Sequence, residues 1–269
     1  MDGRTTPVAR RGALRAVAGS VLAGAATAAC ARDTASLHAP PATSSRTPAP
    51  PARKAHGAVR PAAVPRRFPG LPVQIEHGPR DRARVALTFH GQGDPALARA
   101  ILAEAERAGA RLTVLAVGSW LDEQPAMARR ILDGGHDLGN HTQNHLDVNA
   151  MDEKRAYEEI TGCARRLHRL TGSIGTWFRP SRARYATPLV QDLARRAGYP
   201  HVLAYDVDSL DHTAPGVPAV TRKVAGELRD GSVVSLHFGH RDTAAALPLL
   251  FNEIDRRRLR AVTMTELLT

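Results

Sequence analysis

The sequence predicts an α/β fold of parallel strands, arranged as one layer system or a barrel. Three observations predict it. From about Leu71 onward, short apolar runs alternate with longer amphipathic stretches some seven times. The intervening stretches are long enough for helical crossovers, which is how parallel neighbours are joined. Ionisable and amide side chains gather just after the apolar runs, where parallel α/β folds keep their working residues.

The elements follow in order. Arg84 to Phe89 reads as a strand. Pro95 to Ala108 reads as a helix, with proline in its first turn and Leu97, Ile101 and Leu102 on one face. Leu112 to Val117 is a second strand, and Gln124 to Leu132 a helix closed by Gly134 and Gly135. Asp137 to Asn140 is a short strand; Met151 to Leu170 is a long helix opened by Asp152 and ended near Gly172. Gly175 to Phe178, Pro188 to Ala197 and His201 to Tyr205 continue the alternation. So do Pro218 to Leu228, Ser232 to Phe238, Ala244 to Arg258 and Ala261 to Met264. Cys163 falls inside the long helix with no cysteine partner in the domain, and reads as core.

Composition bounds the partners. The chain has 269 residues and a formal charge of +11, with 43% apolar and 23% charged residues, which excludes a wholly disordered protein. Two cysteines exclude a disulfide scaffold. Residues 1–70 hold eleven Lys and Arg against two acids, whereas residues 71–269 hold 26 against 24. The domain is therefore near +2 and has no basic excess that calls for nucleic acid.

Residues 1–30 read as an export signal. Arg4, Arg10, Arg11 and Arg15 precede an uncharged stretch, Ala16 to Ala29, too short and too weakly apolar to span a membrane. Arg10-Arg11 resembles a twin-arginine signal, and Thr27-Ala28-Ala29-Cys30 resembles a lipobox, so Cys30 is the expected lipidation site. A plain secretory signal cut near Ala29 is the alternative. Residues 31–70 contain eight prolines and few large apolar side chains, and read as a disordered linker. Residues 71–269 form the domain, expected to be a monomer held on the outer face of the cell membrane by its lipid, or secreted.

The groups that carry chemistry lie after the strands. His90, Gly91, Gln92, Gly93 and Asp94 follow the first; His141 and His145 follow the third; Arg179 follows Phe178; Asp206, Asp208 and Asp211 follow the fifth; and His237 ends a late one. Two histidines four apart share one face of a helical turn and can chelate one metal ion. Position 142 is threonine, so the glutamate base of zinc proteases is missing.

Taken in order, these residues resemble the polysaccharide deacetylase (NodB-homology) family of carbohydrate esterases. The family's second motif, His-Ser/Thr-x-x-His, is met by His141-Thr142-Gln143-Asn144-His145. Its third begins Arg-Pro, as do Arg179-Pro180, and its fourth and fifth are approximated by Asp211-His212 and Leu236-His237. The resemblance implies a distorted (β/α) barrel with about seven parallel strands. It also implies one divalent metal ion, zinc above others, and removal of acetyl groups from a glycan polymer such as peptidoglycan.

The first motif departs. Where the family reads Thr-Phe-Asp-Asp-Gly, with a base and then a metal ligand, this chain reads Thr88-Phe89-His90-Gly91. Two replacements are open: Asp94 folds back as third ligand beside His141 and His145, with His90 as base, or His90 itself coordinates. The first is preferred. Arg179 then either keeps His90 neutral or pairs with Asp94, and the resemblance implies that His237 protonates the leaving amine and that Asp211 orients His237. The alternative function is a glycan-binding module of the same fold, with hydrolysis weakened by the missing aspartates. His136 and His240 are expected in exposed loops.

Overall fold

The computed structural model describes residues 65–269. The export signal, Cys30 and the linker as far as residue 64 lie outside the described residues.

Strands and helices alternate, beginning with β1 (Gln74–Ile75), β2 (Arg84–Gly91), α1 (Pro95–Arg107), β3 (Thr113–Ala116), α2 (Gly118–Glu123), α3 (Ala126–Asp133) and β4 (Asp137–Asn140). Next come α4 (Glu153–Thr171), α5 (Pro188–Arg196), β5 (Val202–Leu203), β6 (Val207–Asp208) and α6 (Val217–Glu227). The chain ends with β7 (Val233–His237), α7 (Arg241–Arg256), β8 (Arg260–Ala261) and α8 (Met264–Leu267). Every strand pair is parallel, and β6, β7, β2, β3 and β4 lie side by side in the reverse of the order β4-β3-β2-β7-β6. Isolated bridges carry the bonding on from Asn140 to Phe178 and from Phe178 to Val202. Residues 202–203 bond β1 while residues 207–208 bond β7, so one short segment touches both edges. The architecture is a distorted α/β barrel with incomplete bonding between β4 and β6.

β2 is buried along nearly its whole length because it has side chains on two packed faces. Val85, Leu87 and Phe89 pack outward with Ile101, Leu102 and Leu247 of α1 and α7. The alternate residues, Ala86, Thr88 and His90, turn inward. A period of two therefore delivers His90 to the barrel interior at the end of its strand.

Helix boundaries follow capping chemistry. The Asp94 carboxylate accepts the Ala96 N–H at 2.8 Å and Pro95 opens α1. Asp152 caps α4 through the Arg155 N–H, and Gly172, at φ 79°, ends it in the left-handed region. Three expectations change. Ala261 to Met264 is not a strand throughout, because Thr263 and Glu266 form a capping box that turns the chain into α8. Gly175 to Phe178 contributes only single bridges at Phe178. His136 is fully buried rather than in an exposed loop: its Nδ1 accepts the Leu112 N–H at 3.0 Å and its Nε2 lies 3.4 Å from Glu106. Burial, opposed by Glu106, brings the His136 pKa down to about 4.

Cys163 is core, as expected. Its thiol is pushed up to about 12 by burial and donates to the Ala116 carbonyl at 3.4 Å, so it is a poor nucleophile. At the barrel end where β4 begins, Trp177 donates to Asp137 at 3.1 Å and stacks on Phe68 with ring centres 5.4 Å apart. The Phe68 N–H donates to His201 Nε2 at 3.0 Å, and His201 Nδ1 donates to the Pro72 carbonyl at 2.8 Å. Ordered packing thus reaches back to Phe68.

Two outcomes follow. Phe68→Ala empties the floor of the inner core and costs about 3 kcal/mol in urea unfolding; an unchanged midpoint would show that Phe68 only lies on the surface. Folded His136 takes its proton near pH 4, and unfolded His136 near pH 6.5. The stability it contributes is complete above that unfolded value and is lost as pH falls toward the folded one, by roughly 3 kcal/mol. Unfolding of wild type and His136→Gln at pH 7.5 and 4.5 (both roughly chosen to bracket that window) checks it: the variant's loss between them is smaller.

Candidate metal centre

Two adjacent strands build the floor of the site. In the β2–β7 register His90 lies opposite His237, so the two rings leave the sheet side by side and stack at 4.3 Å with planes 25° apart. On the other side of β2, Gly91 sits against β3. A Cβ there would come within 2.9 Å of Val114 Cγ1 and 3.0 Å of Ala116 Cα, so the strand spacing leaves no room for a side chain.

His141 and His145 converge through a loop after β4, not along a helical turn. Thr142 at φ 67° and His145 at φ 55° bend the backbone into the left-handed region. Asn140 opens the loop by accepting the Thr142 N–H at 2.8 Å while donating to the Ile160 carbonyl at 2.9 Å. Glu159, buried on α4, holds the middle by accepting the Asn144 backbone N–H at 2.8 Å and its side-chain N–H at 2.6 Å. Sequence reasoning missed both. Glu159 had a signal, since it lies on the apolar face of α4 with Ala156, Ile160 and Cys163.

The hydrogen bonds assign the protons. His141 Nδ1 lies 3.0 Å from the Arg179 carbonyl, which can only accept, so Nδ1 carries the proton and Nε2 the lone pair. His90 Nδ1, 2.7 Å from His141 Nε2, is then the donor. His90 Nε2 is left to accept from the Ser235 hydroxyl at 3.0 Å. Burial first, then the neighbouring histidines and Arg179, hold His90 well below its ordinary pKa. His141 is lowered likewise, by burial and then His145, and His145 by burial and then Arg182. All three are neutral at neutral pH.

His90, His141 and His145 bring one ring nitrogen each to within 4.8 Å of one another. Neutral imidazoles converging from three sides suit a borderline ion such as zinc. Two nitrogens on one tetrahedral zinc stand about 3.3 Å apart, so binding replaces the His90–His141 hydrogen bond and its proton.

Asp94 does not join them. Its carboxylate is exposed and engaged at the N-terminus of α1, and among the described residues no carboxylate belongs to this group. Capping an orphan N–H competes with the fold-back that a third ligand requires. Of the two replacements open in the sequence, the geometry brings His90 to the pair.

Arg179 is fully buried directly beneath. Nε and NH2 donate to the Leu203 and Ala204 carbonyls at 3.4 and 2.9 Å, and NH1 has no hydrogen-bond partner. The guanidinium lies 5.3 Å from the Tyr205 ring centre, and burial brings its pKa to about 10, so it stays charged. Neither Asp94 nor any other described carboxylate pairs with it.

Asp211 and His237, expected from the sequence to act together, are joined by hydrogen bonds. Asp211 Oδ1 accepts from His237 Nδ1 at 2.7 Å, and Oδ2 accepts the His237 backbone N–H at 2.8 Å and the Thr243 hydroxyl at 2.5 Å. Burial alone would raise the Asp211 pKa; the His237 and Thr243 hydrogen bonds bring it below the usual range. A cleft of about 410 Å³ lies above, lined in part by His90, His145, Arg182, Tyr205, Asp208 and His237. Trp177 is buried at the far end, away from the cleft.

Asp94→Ala leaves zinc uptake intact and lowers stability by about 1 kcal/mol through the lost cap, whereas His90→Ala weakens zinc uptake. Zinc titration with urea unfolding checks both; loss of zinc from Asp94→Ala would restore it as a ligand.

Residues 77–202 match the family model described as polysaccharide deacetylase. A peptidoglycan-N-acetylglucosamine deacetylase of Bacillus cereus is 31% identical over 71% of this chain and 90% of its own length. The deacetylase PgdA of Listeria monocytogenes is 26% identical over 77% of this chain but 44% of its own length. Among solved structures, a CE4 family pseudoenzyme from Bacillus anthracis superposes with a TM-score of 0.69 at 22% identity, covering 74% of this chain and 70% of that one. The Bc1960 peptidoglycan N-acetylglucosamine deacetylase gives 0.68 at 23%, covering 73% and 92%. With the motif order, the barrel and this likeness in hand, the chain belongs to the polysaccharide deacetylase family.

Proposed function

We propose that this protein is a metal-dependent hydrolase that removes acetyl groups from N-acetylated glycan of the peptidoglycan kind. It works outside the cell membrane, tethered through a lipid on Cys30. The observation that carries the reading is the Asp211–His237 pair, poised at the cleft floor beside three converging imidazoles. The leader sequence and the cell-wall substrates named for the Bacillus and Listeria relatives support the location and the glycan.

His90, His141 and His145 would hold the ion, zinc being the best fit to neutral nitrogen donors. Bound there, a divalent ion supplies Lewis acidity toward the acetyl carbonyl and toward water. The rest is done by side chains. Asp211, kept ionised, fixes the His237 proton on Nδ1 and turns the Nε2 lone pair to the cleft, where it takes the proton of the attacking water and passes it to the departing amine. Arg179 places a fixed positive charge beneath the site and favours the negative charge that develops during acyl transfer. Tyr205, Asp208 and Arg182 offer the cleft a ring face and polar groups for sugar.

A second reading, a glycan-binding module of weak activity, is favoured by one observation: neither aspartate of the family's first motif is present, and no described carboxylate replaces them in the metal group. Its likeness to a protein described as a pseudoenzyme fits this reading as well.

The two separate in one assay. Zinc-loaded protein incubated with peptidoglycan or N-acetylglucosamine oligomers releases acetate, a chelator stops it, and His237→Ala slows turnover on the order of 100-fold. Zinc and glycan binding with no acetate from any such polymer selects the binding module. Activity and metal retained in His141→Ala would overturn both.

A further inference from the structure

We propose a second divalent-cation site, for a borderline ion such as zinc, built by His212, His237 and His240 on the wall of the same cleft. The three imidazoles line one opening, and their ring centres are close: 5.3 Å from His212 to His237 and 5.8 Å from His237 to His240. Two imidazoles on one tetrahedral zinc stand with ring centres about 5 Å apart, given metal–nitrogen bonds near 2 Å. The ligand atoms of His212 and His237 already lie, with one of Asp211, within 4.8 Å of one another, and His240 meets the same His237 ring.

The nitrogens are free to bind. His237 gives Nδ1–H to Asp211, which leaves its Nε2 lone pair toward the cleft, and among the described hydrogen bonds none engages that atom or the rings of His212 and His240. A histidine with a carboxylate behind it is the usual arrangement for a metal ligand, since the carboxylate fixes the tautomer and raises donor strength. Asp211 itself is not needed as a ligand: its oxygens are already taken by His237 and Thr243. Asp208 lines the cleft and supplies negative charge nearby. The two cations of the lining have partners of their own, Arg182 on the His145 carbonyl and Arg184 on the Tyr205 carbonyl.

This site is separate from the first. His90 and His237 stack with planes only 25° apart, so their in-plane nitrogens run side by side instead of meeting at one ion. His212 and His240 come from other segments, the turn Asp211–Thr213 and the residue preceding α7. An ion seated here takes the Nε2 lone pair that His237 needs to carry a proton. Occupancy therefore shuts off proton delivery, and excess metal inhibits. That consequence rests on the deacetylase reading; the binding does not.

The test uses the full-length protein, stripped of metal and equilibrated with zinc in dialysis, with bound metal counted. Wild type takes up one more ion than the His212→Ala/His240→Ala double variant. The His141→Ala/His145→Ala double variant keeps the ion that the first variant loses. His212 is exposed and His240 partly so, and an unchanged melting temperature of the first variant shows that the fold is intact. Excess zinc then suppresses acetate release by wild type on the order of 100-fold and leaves the first variant uninhibited. Equal zinc uptake by wild type and the first variant overturns the site. The expected difference in uptake without acetate release from either protein keeps the site and overturns the deacetylase reading instead. Inhibition that persists in the first variant overturns the inhibitory role.

Discussion

The parallel register of β2 with its two neighbours is the constraint on which the site depends. Opposite β7, it sets residue 90 level with residue 237, and a period of two turns both rings inward at the same height. Opposite β3, it brings the strands so close at residue 91 that a Cβ would crowd Val114 and Ala116. One position therefore holds an imidazole where the family places a base, and the next holds nothing that can reach a metal. The loop carrying His141 and His145 is then bent over β2 by two left-handed residues and held there by Asn140 and Glu159. The metal group is the meeting of one strand end with one restrained loop.

The electrostatics of that group differ from those of a carboxylate-containing centre. Burial keeps His90 and His141 neutral, and the hydrogen bonds running from Ser235 through His90 and His141 to the Arg179 carbonyl order their protons without any net charge. Arg179 is a fixed charge beneath it, buried, with one guanidinium nitrogen lacking a hydrogen-bond partner and Asp208 acting on it only at a distance. The Asp211 carboxylate stands behind His237 and holds its Nδ1 proton. In the proposed function the converging imidazoles and the Asp211–His237 pair thus sit on different elements, joined through the His90–His237 stack.

Much of this could be read from the chain. Motif order located His141, His145, Arg179, Asp211 and His237, because each follows a strand and a parallel barrel gathers strand ends at one rim. Capping chemistry placed α1 and α4 to within a residue or two. What escaped were features in which local and distant demands compete. Asp94 could serve as a helix cap or as a ligand, and spacing alone does not say that the cap wins. β1 and β6 are two residues each, too short to show a period, and their existence rests on partners far away in sequence. His136 looked like a loop residue after two glycines, but the pocket that buries it is made by Leu112 and Glu106.

Protons and metal ions compete for the same imidazole nitrogens, so a site that excludes protons opens itself to ions. Burial does this for His90 and His141. The same burial leaves Arg179 charged in a poorly screened interior, where repulsion toward a dication is strong and only partly offset by the Asp208 carboxylate. How tightly the first site would hold an ion is therefore set by two consequences of a single packing arrangement: the removal of competing protons and the presence of a buried guanidinium. Their balance also separates the hydrolase from the binding module, since both readings use the same side chains and differ in whether the ion is held firmly enough to act.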